Sequence, residues 1–359
     1  MKWSFEVTRL FGIPLKIHVT FLLLLLFVAM AGAQVQQPGG LLQGVLTVIF
    51  VFACVVVHEL AHSLMAMHYG INVRAIVLLP IGGVSQMEEM PEDPKQEIKV
   101  SVAGPLTSLI LAGVFYVLAT LGGQELAWRE LSLFGGDLLP KLSVINLMLG
   151  LFNILPAFPM DGGRVLRGIL GTRMDHVRAT KVAVEIGQAI AIVMFFFAVI
   201  YLTNLLLAAI AIFIYLGAEG EEHATMIRAA LRGVPVTRAM LTSVQTVSPV
   251  DSLASVVERA CHSLQADFPV VEGDSVVGIL PKEIIFRAIH EKPGETPVSE
   301  IMRKEFLSAT RNDTLDHVFR KMQGQGVSLV PIVEEGRFMG MINLEQIGKY
   351  HMMCELAGR

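Results

Sequence analysis

Residues 41–67 read LLQGVLTVIFVFACVVVHELAHSLMAM. The run is long and apolar enough to cross a bilayer, which takes about 20 residues of helix. Yet it carries two histidines and a glutamate near its end, where each ionisable group is costly in lipid. His58 and His62 are four residues apart, so on a helix they project from one face, about 6 Å apart along the axis. Two imidazoles so placed can hold one zinc ion, and Glu59 beside them can act as general base toward a water at that ion. The competing reading is a structural polar cluster or an ion-pathway site.

Working outward, the 359-residue chain is 53% apolar and only 17% charged, well below the roughly 25% of ordinary soluble domains. Charge is sparse up to about residue 218 and frequent after it, which implies a membrane half followed by a soluble half. The net charge of −4 gives no ground for nucleic acid as a partner. Cys54, Cys261 and Cys354 are far apart and form neither a disulfide framework nor a CxxC motif. Six spans are expected, near 17–34, 41–66, 99–121, 140–158, 180–202 and 204–218. The first is a retained span rather than a signal peptide, because it starts late and further apolar runs follow.

Lys and Arg orient the set. With the N-terminus inside, the interior segments hold Lys2, Arg9, Lys16, Arg74, Lys95, Lys99, Arg164, Arg167, Arg173, Arg178 and Lys181, and the exterior loops only Arg129 and Lys141. Both termini are therefore expected in the cytoplasm. Between spans two and three, VRAIVLLPIGGVSQ (73–86) reads as a strand or hairpin at the membrane border, followed by an acidic loop.

Catalytic zinc needs a third protein ligand and an open position. His68 would complete a metzincin-like spacing, but Met65 stands where that pattern needs glycine, and on a continuous helix His68 lies about 15 Å from His58. It reads as a border residue. Asp161, in FNILPAFPMDGGRVLR (152–167), is the better candidate. Irregular backbone at membrane depth is tolerated only where it lines a cavity, and the ends of spans two and four face the same side.

HELAH (58–62) with NILPAFPMDGGR (153–164), PIGG (80–83) and SVAGPLTSL (101–109) resembles the site-2 protease family over nearly all of residues 1–218. The resemblance implies an intramembrane zinc metalloprotease with one zinc per chain held by His58, His62 and Asp161, and Glu59 as catalytic base. It also implies a substrate-positioning role for Asn153 and another protein's transmembrane helix as substrate.

After residue 218 an internal repeat appears at an offset of 62 residues: VTRAM (236–240) matches VSEIM (298–302), Asp251 matches Asp313, and Gly278 matches Gly340. The repeat resembles a tandem pair of CBS domains. Such pairs commonly bind adenine nucleotides, yet the usual hydroxyl and acidic ribose-binding positions are here Pro281 and Ile284, then Asn343 and Gln346, with Glu283 and Glu345 one position short. A structural role, with homodimerisation through the pair, is the other reading.

The expected architecture is a polytopic α-helical membrane protein of about six transmembrane helices with a membrane-border β-strand segment, followed by a cytoplasmic α/β tandem CBS pair. Its parts are a membrane-embedded metalloprotease domain (1–218), a linker (219–235) and two CBS repeats (236–292 and 296–355), in a prokaryotic plasma membrane. The alternative function is a non-proteolytic transporter or channel with a CBS regulatory module. The intact Glu59 and Asp161-Gly162 discriminate against it, because ion transport needs no such base.

Overall fold

The computed structural model describes residues 3–34, 40–80, 82–87, 91, 93–124, 134–263, 265 and 267–356. The chain divides into two compact units, 1–223 and 224–359.

The first unit opens on a hairpin, β1 (Ser4–Leu10) and β2 (Ile13–His18), which runs directly into α1 (Val19–Gln34). Helix α2 (Gly40–His68) carries the two histidines and leads into a second hairpin, β3 (Val73–Leu79) and β4 (Gly82–Met87). The two hairpins join through a parallel β2–β3 pairing into one four-stranded sheet in the order β1-β2-β3-β4. The sequence reading foresaw the second hairpin and missed the first. Pro14 argues against a strand in sequence, but β2 gains parallel pairing from residues 76–78, which are distant in the chain.

Four more helices follow in the first unit: α3 (Pro94–Leu121), α4 (Leu138–Ile154), α5 (Asp161–Gly171) and α6 (His176–Ile200). Helix α3 starts before the apolar run because Asp93 caps it, accepting the Lys95 N–H at 2.8 Å, with Pro94 at its first position. Helix α4 stops at Ile154 rather than 158, since Pro156 cannot continue it. Among the described residues α2, α3 and α6 are long and apolar enough to cross a membrane, and α1 and α4 are apolar but shorter. Arg129 and Ile81 lie outside the described residues.

Helix α7 (Leu205–Leu231) differs from expectation. A short span (204–218) and a linker (219–235) were expected there, but one helix continues through the span and most of the linker. Residues 219–231 are mostly strong helix formers, and the chain does not break until Gly233, which adopts a φ of +66°. The first part of α7 packs Ile214 with Ala157 and Met160. Its last turns place Ile227 and Leu231 in a core of the second unit.

In the second unit the repeat is explicit. Helices α8 (Leu253–Cys261) and α10 (Leu315–Gln325) start 62 residues apart, as do α9 (Lys282–Glu291) and α11 (Leu344–Leu356). Each first helix is followed by a hairpin: β5 (Phe268–Glu272) with β6 (Ser275–Leu280), and β7 (Leu329–Glu334) with β8 (Arg337–Asn343). The leading segment of each repeat pairs with the other repeat's second strand, through Leu241–Met341 and Arg303–Ile279 bridges. Gly278 and Gly340 permit this approach, since a Cβ on either would collide with Met302 or with Leu241. The two repeats thus share strands and fold together.

The departing ribose positions have local structural uses. Asn343 Oδ1 accepts the Gln346 N–H at 2.8 Å, capping α11. Pro281 offers no side-chain cap to α9, and Asp267 supplies it instead, accepting the Lys282 N–H at 3.0 Å. Burial pushes the Asp267 carboxyl above the usual carboxylate range.

Candidate metal centre

The centre is assembled from three helices. His58 and His62 sit on the buried face of α2, as the four-residue spacing requires. Asp161 is the first residue of α5, delivered by the turn after α4. That turn is anchored by Ala157, Phe158 and Met160, all buried. Gly162 and Gly163 let α5 begin against it, since a Cβ on either would collide with the backbone of residues 154–158. Three candidate ligands read from sequence thus meet. Asp161 Oδ2 lies 3.0 Å from His62 Nε2 and 3.4 Å from His58 Nε2, and the two Nε2 atoms are 3.2 Å apart.

These separations fit a metal ion. Bonds of about 2.0–2.1 Å in tetrahedral geometry put neighbouring ligand atoms about 3.3 Å apart. The donor chemistry fits as well. His62 Nδ1 donates to the Val100 carbonyl at 2.7 Å, so on a neutral ring Nε2 is a bare lone pair. That lone pair faces a carboxylate oxygen and a second imidazole nitrogen, an arrangement that needs a cation or proton among them. His58 Nδ1 is held 2.9 Å from Ser108 Oγ. Both rings are therefore oriented by α3, as outer partners orient metal-ligating histidines generally. Helix α3 approaches so closely because residue 104 is glycine, and a Cβ there would fall within collision distance of both Nε2 atoms.

Glu59 is on the same helix, turned toward the sheet. Its carboxylate accepts the Ser85 N–H of β4 at 3.2 Å. A Cβ on Gly83 would meet Glu59 Cγ at 2.6 Å, so a glycine there lets the strand lie over the carboxylate. Ser63 Oγ donates to the Glu59 carbonyl at 2.7 Å and lies 2.8 Å from Ser85 Oγ. Strand β4 is an outer strand of its sheet, and among the described residues no further strand pairs with its edge, where Ser85 meets Glu59.

Arg167 holds α5 in place. Counted by sequence among the interior positive charges, it is buried, bonded to Glu97 of α3 at 2.7 Å and Glu221 of α7 at 2.8 Å. Its guanidinium lies 5.0 Å from the Phe158 ring centre, underneath the turn that presents Asp161. A buried arginine satisfied on several sides is a rigid tie, since removing one partner strands the others.

His68 is exposed at the end of α2, edge-on to the Tyr69 ring, and is not part of the cluster. Asn153 is half-buried on α4 and donates to its own-helix carbonyl at Leu149 at 2.9 Å. Sequence reasoning did not assign roles to Val100, Gly104, Ser108, Gly83 and Ser85. The signal lay in and beside the SVAGPLTSL and PIGG segments, whose meaning is the contact each makes with α2.

The family model for peptidase family M50 matches residues 46–132 and 136–197, and that for the CBS domain matches 298–350. A zinc metalloprotease of Methanocaldococcus jannaschii is 32% identical over 99% of this chain and 98% of its own length. Stage IV sporulation protein FB of Bacillus subtilis is 26% identical over 51% of this chain and 61% of its own. Among solved structures, a site-2 protease from Methanocaldococcus jannaschii is 36% identical, covering 61% of this chain and 95% of that one, with a TM-score of 0.45. No support for the transporter reading comes from these relatives.

Proposed function

The chain belongs to peptidase family M50 and is an intramembrane metalloprotease, and we propose that it holds one zinc ion between His58, His62 and Asp161 with Glu59 as general base. The observation that carries this is the set of three ligand atoms 3.0–3.4 Å apart, with the His62 ring locked by Val100 so that Nε2 points among them. Zinc bound there supplies Lewis acidity, polarising a scissile carbonyl and acidifying a water molecule at neutral pH. Glu59 takes the proton from the attacking water and returns it to the leaving amine. Asn153, close in sequence before Asp161, is assigned to hold substrate in register.

Elemental mass spectrometry of the detergent-purified full chain tests the metal assignment. About one zinc per chain is expected, lost or much weakened in His58→Ala and Asp161→Ala. Absence of zinc after reconstitution would overturn it. In the same titration Ser108→Ala should weaken zinc by about tenfold, the usual cost of losing a ligand's outer partner.

The substrate we propose is a transmembrane helix of another protein. Its carbonyls are tied in i−4 hydrogen bonds, so it must unwind before attack. The free edge of β4 beside Glu59 offers the unwound segment backbone pairing. Substrate peptides N-methylated at alternate amides across the scissile region should then be cleaved at least about tenfold more slowly in one register than in the other. That factor corresponds to one lost hydrogen bond of about 1.4 kcal/mol. Equal rates in both registers would dismiss strand pairing.

For topology we propose six spans with both termini in the cytoplasm of a prokaryote. The length and apolarity of α2, α3 and α6 support three of the spans, and the Lys and Arg bias supports the orientation. We assign the protease to 1–218, a connecting segment to 219–235 and CBS repeats to 236–292 and 296–355. The pair is read as regulatory, with an adenine nucleotide as ligand or a homodimer as its product. Equilibrium dialysis of the full chain with labelled AMP tests the ligand; no binding, with a dimeric mass by light scattering, would leave dimerisation.

A further inference from the structure

Outside the membrane helices, the densest exposed apolar surface in the first unit is on its N-terminal hairpin. Trp3 and Phe11 are each 71% exposed, Val7 54% and Phe5 44%. The register makes the hairpin two-faced. Phe5 opposite Ile17, Thr8 opposite Leu15 and Leu10 opposite Ile13 lie on one side, while Ser4–His18, Glu6–Lys16 and Arg9–Pro14 lie on the other. The apolar side packs Leu10, Leu15 and Ile17 against Phe21, Phe52 and Val56 of α1 and α2. Trp3, Phe5 and Phe11 lie beyond that contact and remain exposed among the described residues. Phe11 is at the hairpin tip with a φ of +50°, followed by Gly12 at +84°. A phenylalanine in the left-handed region is uncommon, and here it projects a large ring where burial within the chain gives it nothing.

The hairpin's position is set by chain continuity. Strand β2 ends at His18 and α1 begins at Val19, with no connecting loop. The Val19 N–H also donates to the Trp3 carbonyl at 3.0 Å, tying Trp3 to the first residue of that apolar helix. We propose that the hairpin lies in the lipid–water interface, with Trp3, Phe5, Val7 and Phe11 inserted at headgroup depth and Arg9 and Lys16 on the aqueous side. A bilayer fits this surface better than a protein. Trp and Phe beside basic residues are the interfacial composition, and the polar face holds an Arg9–Glu6 ion pair at 2.7 Å. Among the described residues no further strand pairs with the outer edge of β1, so the hairpin stays at the interface and does not enter the hydrocarbon. Because β1 and β4 are the two outer strands of one sheet, this anchor would also fix the depth at which β4 passes Glu59. The inference rests on reading α1, α2 and α6 as membrane spans.

The chain has two tryptophans, so Trp128→Phe leaves Trp3 as the sole emitter. The full-length variant is reconstituted in phosphatidylcholine vesicles brominated either just below the headgroups or near the acyl-chain ends. A second protein, with Trp3→Phe, Trp128→Phe and Phe196→Trp on α6, serves as the depth control. Trp3 emission is expected to shift to the blue and to be lost mainly to shallow bromines, with weak loss to aqueous acrylamide. Loss to acrylamide and none to bromine, while the control's tryptophan on α6 responds to deep bromines, would overturn the anchor and leave the membrane reading intact. Shielding of Trp3 from both quenchers would also overturn it, pointing to a protein covering the hairpin. A control that no bromine quenches would bring down the membrane reading itself.

Discussion

Glu59→Gln is expected to lower peptide hydrolysis by about 10⁴-fold, at the upper end of what a positioned general base contributes, while leaving about one zinc per chain. The two readouts separate because Glu59 is not among the three converging ligand atoms. Its carboxylate is engaged with the Ser85 N–H, and the glutamine carbonyl can accept that same hydrogen bond, so the strand β4 should keep its seat. What glutamine cannot do is take a proton from water. Cleavage by the purified variant and its bound metal, measured on the same preparation, check this. Substantial residual turnover would remove Glu59 from the chemistry, and loss of zinc would make it a structural or ligating residue.

Gly104→Ala is expected to be nearly as damaging, through one added methyl group. The new Cβ would lie within collision distance of both His58 Nε2 and His62 Nε2. Relief requires either that the ligand pair separate or that α3 retreat. Retreat would pull the Val100 carbonyl and Ser108 hydroxyl from the two Nδ1 atoms they orient. Either path damages the ligand set directly, so zinc affinity should fall by at least about 100-fold, the upper range for losing outer-shell orientation. Cleavage should fall with it. Gly113→Ala on the same helix is the control, since nothing lies within 4 Å of its built Cβ. By helix propensity it should be neutral or stabilising by up to about 1 kcal/mol. A zinc titration of the two variants side by side decides; equal affinities would mean that the close approach of α3 does not matter to the site.

Much of the site was legible before any coordinates. The HELAH run announces itself because ionisable groups in an apolar span are costly without a partner, and helical periodicity puts His58 and His62 on one face. Asp161 was a candidate from its irregular setting and the side it was expected to share with the histidines, and the resemblance to site-2 proteases implied it as the third ligand. The second repeat was legible from identities at a fixed offset, and its elements start at that offset. The helix interiors were legible too, though ends moved where a cap or proline decided them, as at Asp93 and Pro156.

The sequence by itself therefore determined the apolar helices, the paired repeats, and three candidate ligands and a candidate base of the right chemical types. Tertiary structure decided what holds them. Period and composition report only what a residue meets along its own element. The Val100 and Ser108 contacts that aim the imidazoles, the Gly104 approach and the Arg167 tie between Glu97 and Glu221 join residues about forty to seventy positions apart. The same holds for β1 and β2. A short hairpin interrupted by proline has little local signal, and becomes part of a sheet only because β3 arrives beside it after α1 and α2 have returned the chain. Glycines at 83, 104 and 162 read as loop or helix punctuation in sequence. Only packing reveals that each marks a place where a second backbone or a ligand side chain takes the volume a methyl group would fill.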